Sequence, residues 1–323
     1  MLLLALCGCT GNSQAAEPGT TWHSATPAAS SDPATAGPPA AVPASSAPAS
    51  SAPAANAASQ QPGMLGMYPA GHAAVTLTRG HRSLYTEIWY PAVQQASTQF
   101  PMIVFAPGYM ECGGAYAPLL RAWATAGYVV ASVNSPVTSC KNGPQPNEND
   151  IVNQPADLSF VLSQLLGPRS GAIPVPVDPA EVAAAGQSDG GDTAAALASS
   201  SCCTDHRFGA VAVLSGQDWI YAAGMNFTGR GPAMLFTQGT ADNENAPATS
   251  WHLYQTDRPG AKYYLRLLGA DHLGPYTKVN QYENAVVRVS VAFFDHYLLH
   301  LPGTLGTLSR AGNVPGVDSL RAG

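Results

Sequence analysis

The sequence predicts an α/β domain, with a mostly parallel sheet of about eight strands, helices on both faces and no large cap domain. Two observations carry this. Short apolar runs alternate with stretches of helical period, the order expected of a parallel sheet covered on both sides. The part able to fold spans about 240 residues, a fair size for one such domain.

Val75 to Thr78 and Leu84 to Tyr90 read as strands joined by a short, turn-rich link, which suits an antiparallel start. Pro91 ends the second. Pro101 to Ala106 is continuously apolar and reads as a buried strand. Leu119 to Thr125 fits a helix stopped by Gly127, and Tyr128 to Val133 fits the next strand. Pro155 to Leu166 is helical, with Leu158, Val161, Leu162 and Leu165 on one face. Val182 to Ala185 is a strand, and Ser188 to Ser199 an Ala-rich helix. Val211 to Leu214, Ala233 to Thr237 and Tyr263 to Leu268 complete the strands. Pro247 to Tyr254 and Tyr282 to His300 complete the helices.

The flanks differ in composition. Residues 1–9 form an apolar tip, too short for the roughly 20 residues that span a bilayer. It reads as the end of a secretory signal, and Leu6-Cys7-Gly8-Cys9 looks like a bacterial lipobox with Cys9 as the lipidated residue. Residues 10–62 are mostly Ala, Pro, Ser and Thr, with too little apolar surface to offset the cost of ordering a backbone. They read as a disordered tether. The domain is expected over 63–302, and 303–323 as a flexible tail. This organisation implies export, with a membrane tether through Cys9. Lys and Arg number 14 against 20 Asp and Glu, a net charge of −6. With no basic excess for phosphates, nucleic acid is not an expected partner.

The chemistry centres on Gly186-Gln187-Ser188-Asp189-Gly190. Here a Gly-x-Ser-x-Gly follows a strand and precedes a helix, the placement that puts a serine on a tight turn at the sheet's edge. A serine hydroxyl needs a base to take its proton. His272 follows a strand in a loop bounded by Gly269 and Gly274, which can bring an imidazole over that edge. His252, His296 and His300 fall inside helices. The acid that orients the base should lie between them in sequence. Asp242, directly after the strand ending near Thr237, is preferred to Glu244, Asp271 and Asp218. Ser188, Asp242 and His272 are thus the expected catalytic residues. The oxyanion hole is assigned to the backbone N–H groups of Asp189 and of Tyr109, with Met110 in reserve for the latter. Tyr109 and Met110 also stand at the expected substrate cleft. No Cys/His spacing suits zinc and no phosphate loop is present, so no metal or cofactor is expected.

These residues resemble the α/β-hydrolase superfamily over about Tyr68 to His300. Glu87-Ile88-Trp89-Tyr90-Pro91-Ala92, Phe105-Ala106-Pro107-Gly108-Tyr109, Asn153-Gln154-Pro155-Ala156-Asp157, Gly186 to Gly191, Gly239-Thr240-Ala241-Asp242 and Asp271-His272 carry the resemblance. It is greatest to the platelet-activating-factor acetylhydrolase and dienelactone-hydrolase-like branch, near bacterial cutinases and polyester hydrolases. It implies a serine hydrolase acting on carboxylic esters. Alternatives are a non-catalytic binding protein of the same fold, and an acyltransferase or peptidase using the same residues. Dienelactone hydrolases proper use Cys at the nucleophile position and haloalkane dehalogenases use Asp, so neither reaction is expected. By the same resemblance Trp219 lines a substrate subsite, and the strands before Cys112 and Cys140 lie side by side, allowing a disulfide between them. Cys202 and Cys203 are then free or bridged to each other. Asp157 reads as a first-turn charge favoured by the helix dipole, without a catalytic role.

Overall fold

A computed structural model describes residues 65–96, 98–140, 146–167, 171–217, 230–257 and 260–323. Cys9, the signal-like segment, the tether and Trp219 lie outside the described residues. Among the described residues no helix is long and apolar enough to cross a membrane.

The sheet has nine strands in the order β1-β2-β4-β3-β5-β6-β7-β8-β9. β1 (Ala70–Arg79) and β2 (Arg82–Pro91) form an antiparallel hairpin. β2 pairs antiparallel with β4 (Val129–Asn134). From β4 the sheet runs parallel through β3 (Phe100–Ala106), β5 (Val177–Gln187), β6 (Phe208–Leu214), β7 (Ala233–Gly239) and β8 (Lys262–Leu267).

Strand periodicity divides the core into two layers. Met102 and Val104 of β3 face one side, under α2 (Gln154–Leu165), α3 (Asp189–Ser199) and α4 (Pro247–Thr256). Ile103 and Phe105 face the other, under α1 (Ala117–Thr125) and α6 (Gln281–Tyr297). Both faces are covered, which is why β3 is buried along its whole length. A four-residue helix, α5 (Gly274–Thr277), precedes α6.

The tail departs from expectation. Residues 303–323 are not loose: they form α7 (Thr304–Ala311) and β9 (Asp318–Ala322). β9 pairs antiparallel with the open edge of β8, with Leu320 opposite Leu265. Leu308 of α7 is buried, and Asp318 accepts the Val314 N–H at 2.8 Å. The backbone ladder along β8 supplies what a weakly apolar strand lacks, so the domain extends to the ninth strand. Asp157 is also more than a dipole charge. It is fully buried in the first turn of α2 and accepts hydrogen bonds from Arg79 at 2.8 Å and Arg82 at 2.6 Å. These tie the β1–β2 turn to the helix.

β3 is flanked by β4 on one side and β5 on the other, so the chain reverses its direction of travel across the sheet there. The crevice at the C-terminal ends of such strands is the expected ligand position. The loop after β3 and the turn after β5 both open onto it.

Candidate active site

Ser188 sits on the corner between β5 and α3 with φ 54° and ψ −124°. This is a strained backbone for a residue with a side chain. It persists because the turn is clamped on both sides. A Cβ on Gly186 would overlap the Gly190 carbonyl, and one on Gly190 would overlap the Ala106 carbonyl. Ser188 N–H donates to Leu214 O at 2.9 Å, fixing the corner to β6. The clamped turn leaves Ser188 partly exposed while its neighbours are buried.

His272 and Asp242 are brought together. His272 Nδ1 lies 2.8 Å from Asp242 Oδ2, and both side chains are buried. Asp242 Oδ2 also accepts from Gln238 Nε2 at 2.8 Å, while Oδ1 accepts the N–H groups of Glu244 at 3.0 Å and Asn245 at 2.9 Å. Burial pushes this carboxyl up, but the bond from His272 and the two backbone amides outweigh it and hold the group below the usual carboxylate range. Asp242 is therefore an anion aimed at the imidazole. Glu244, on the same loop, approaches His272 Nε2 only to 3.9 Å and is largely exposed.

The loop after β3 separates the two candidate oxyanion donors. Met110 N–H donates to Thr138 O at 2.7 Å, so it is spent. Met110 has φ 61° and a largely exposed side chain. Tyr109 is the remaining candidate, and its own hydroxyl donates to Pro146 O at 2.9 Å. Asp189 opens α3, where a first-turn N–H has no partner within the helix. Cys112 and Cys140 form a disulfide, with Cα atoms 5.4 Å apart, that closes this loop onto the segment after β4. Cys202 and Cys203 are bridged to each other. Among the described residues no group of three His, Cys, Asp or Glu side chains could hold a metal ion.

Four residues of this site were not singled out from the sequence. Gln238 and Asn245 both bond within the Asp242 loop, and Asn245 Nδ2 also reaches Ser215 O at 2.7 Å. Gln187 and Tyr116 sit on the other side of His272. Gln187 lay inside the serine motif, and Gln238 and Asn245 flanked the acid; those positions were the only signals.

The Asp189 carboxyl is buried beside Ser188, and its Oδ2 has no hydrogen-bond partner. Burial, and then the charge of Glu148, push it up to about 7, against a smaller opposite pull from His272. The folded state therefore keeps this proton to about pH 7, while the unfolded chain releases it near 3.8. Between those values the unfolded state binds fewer protons, so this group lowers stability as pH rises. Asp189→Asn keeps the backbone N–H and removes the ionisation. Urea unfolding should show the variant more stable by a few kcal/mol at about pH 8, with the gain vanishing toward pH 4. An equal gain at both pH values would contradict the assignment.

No family model matches the chain, and no curated protein matches it. Solved structures do. A ferulic acid esterase from Streptomyces cinnamoneus superposes with a TM-score of 0.58 at 18% identity, over 73% of this chain and 92% of that one. At that identity the likeness carries the fold alone. The sheet, its helical layers and the serine corner are those of an α/β-hydrolase fold.

Proposed function

We propose that this protein is a serine hydrolase that cleaves carboxylic esters through an acyl-enzyme on Ser188. The observation that carries the reading is the positive-φ serine at the β5–α3 corner, on the same sheet edge as the buried His272–Asp242 pair. Ser188 Oγ attacks the ester carbonyl carbon while His272 Nε2 takes its proton. Asp242 orients the ring and stabilises the imidazolium. The N–H groups of Tyr109 and Asp189 hold the oxyanion. His272 then returns the proton to the departing alkoxide as the C–O bond breaks. In the second half, water loses a proton to His272 and displaces the acyl group, restoring Ser188.

The fold shared with a ferulic acid esterase is one that accommodates this class of reaction. The resemblance of the motifs to the platelet-activating-factor acetylhydrolase and dienelactone-hydrolase-like branch, near cutinases, supports it. The link between β6 and β7, residues 215–232, is too short for a cap domain, which favours accessible esters. Tyr109, Met110 and Trp219 are the proposed walls of the cleft. The two disulfides favour an oxidising compartment and so export, with Cys9 as anchor and residues 10–62 as tether. A panel of p-nitrophenyl esters of increasing acyl length, methyl ferulate and a polyester film tests the reading. Turnover of at least one ester is expected. Folded protein that hydrolyses none would favour a binding role for the same fold.

A further inference from the structure

Gln187 is the last residue of β5, fully buried, and adjacent to Ser188. Its amide lies between two fixed partners. Tyr116 OH donates to Gln187 Oε1 at 2.7 Å, and Gly108 N–H donates to the same Tyr116 oxygen at 3.1 Å. Burial pushes the Tyr116 phenol well up, so it stays protonated and remains a donor. With Oε1 turned to Tyr116, Gln187 Nε2 must face His272. It lies 3.2 Å from His272 O and 3.1 Å from His272 Nε2. The His272 carbonyl can only accept, so reversing the amide would set oxygen against oxygen. A Cβ on Gly108 would come within 2.7 Å of Gln187 Oε1, so glycine there keeps room for the arrangement.

This geometry fixes the imidazole. An amide N–H aimed at Nε2 requires a bare lone pair there. The ring proton is then on Nδ1, donated to Asp242 Oδ2. That is the tautomer a general base needs. The same lone pair is nevertheless engaged by Gln187. Once the ring takes a proton, Nε2–H and Gln187 N–H would be two donors facing each other.

We propose that Gln187 is a positioning residue: its amide, pinned by Tyr116, holds His272 as the Nδ1–H tautomer and occupies the Nε2 lone pair of the free enzyme. The proposal rests on reading Ser188, His272 and Asp242 as a hydrolytic site. The other groups bearing on the ring are Asp242 and Glu244 from the loop after β7, and Asp189 from the start of α3. All three are carboxyls that favour the protonated ring when ionised. Gln187 alone among these partners favours the neutral one.

The test is Gln187→Leu and Tyr116→Phe in the full chain, with two readouts. The acid limb of kcat/KM should move to higher pH by about half to one unit in Gln187→Leu, the size of one hydrogen bond. Tyr116→Phe, which frees the amide without removing it, should move the limb less and in the same direction. In 15N spectra of the neutral ring, the Nε2 signal of His272 should shift toward that of an unbonded lone pair in Gln187→Leu. The spectrum needs no turnover, so it decides the proposal even if no ester is hydrolysed and the reading of the site fails. A lower kcat with an unmoved acid limb and an unmoved Nε2 signal would reduce Gln187 to packing and overturn the proposal. If Gln187→Leu does not fold, the same two readouts on Tyr116→Phe decide.

Discussion

Ser188→Ala should lower kcat for a short p-nitrophenyl ester by about a million-fold, the loss typical of removing a nucleophile that acts as one unit with its base. The corner that holds Ser188 is set by Gly186, Gly190 and the Ser188 N–H bond to Leu214 O, none of which involves the hydroxyl. The variant should therefore fold with an unchanged unfolding midpoint in urea. Steady-state kinetics and denaturation on the same preparation check both halves. Turnover within tenfold of the parent would mean that another group carries the acyl transfer.

Asp242→Asn should cost about ten-thousand-fold in kcat, by a different route. All four bonds to this carboxylate come from donors: His272, Gln238 and the amides of Glu244 and Asn245. An asparagine must turn its NH2 toward one pair of them. The two backbone amides cannot change, whereas the imidazole can change tautomer. The NH2 then faces Nδ1, and the ring proton moves to Nε2, where it cannot accept from Ser188. It also meets the Gln187 N–H, 3.1 Å away in the parent structure. The variant should lose stability as well as rate. Kinetics at neutral pH on protein shown by urea unfolding to be folded separate the two. A folded variant with near-parental turnover at neutral pH would contradict this role.

Most of the fold could be read from periodicity, because buried parallel strands such as β3 are apolar along their length. The serine corner was legible for a local reason: strand, glycine, serine, glycine and helix are contiguous. His272 and Asp242 followed from their position after predicted strands. What escaped the sequence depended on distant partners. β9 holds one large apolar residue, Leu320, and exists because β8 offers an open edge. Asp157 gave no sign of being a buried ion until Arg79 and Arg82 were placed against it. Met110 lost its reserve role through Thr138, and Gln187 gained its place through Tyr116, 71 residues away. Each of these is a pairing that no window of neighbouring residues contains.

If Ser188 is an activated nucleophile, a fluorophosphonate probe will form a covalent phosphonyl ester on its Oγ with loss of fluoride. Intact mass followed by peptide mapping should show one probe per chain, attached to Ser188, with labelling abolished in Ser188→Ala. Folded protein that stays unlabelled, or carries the probe on another residue, would contradict the account.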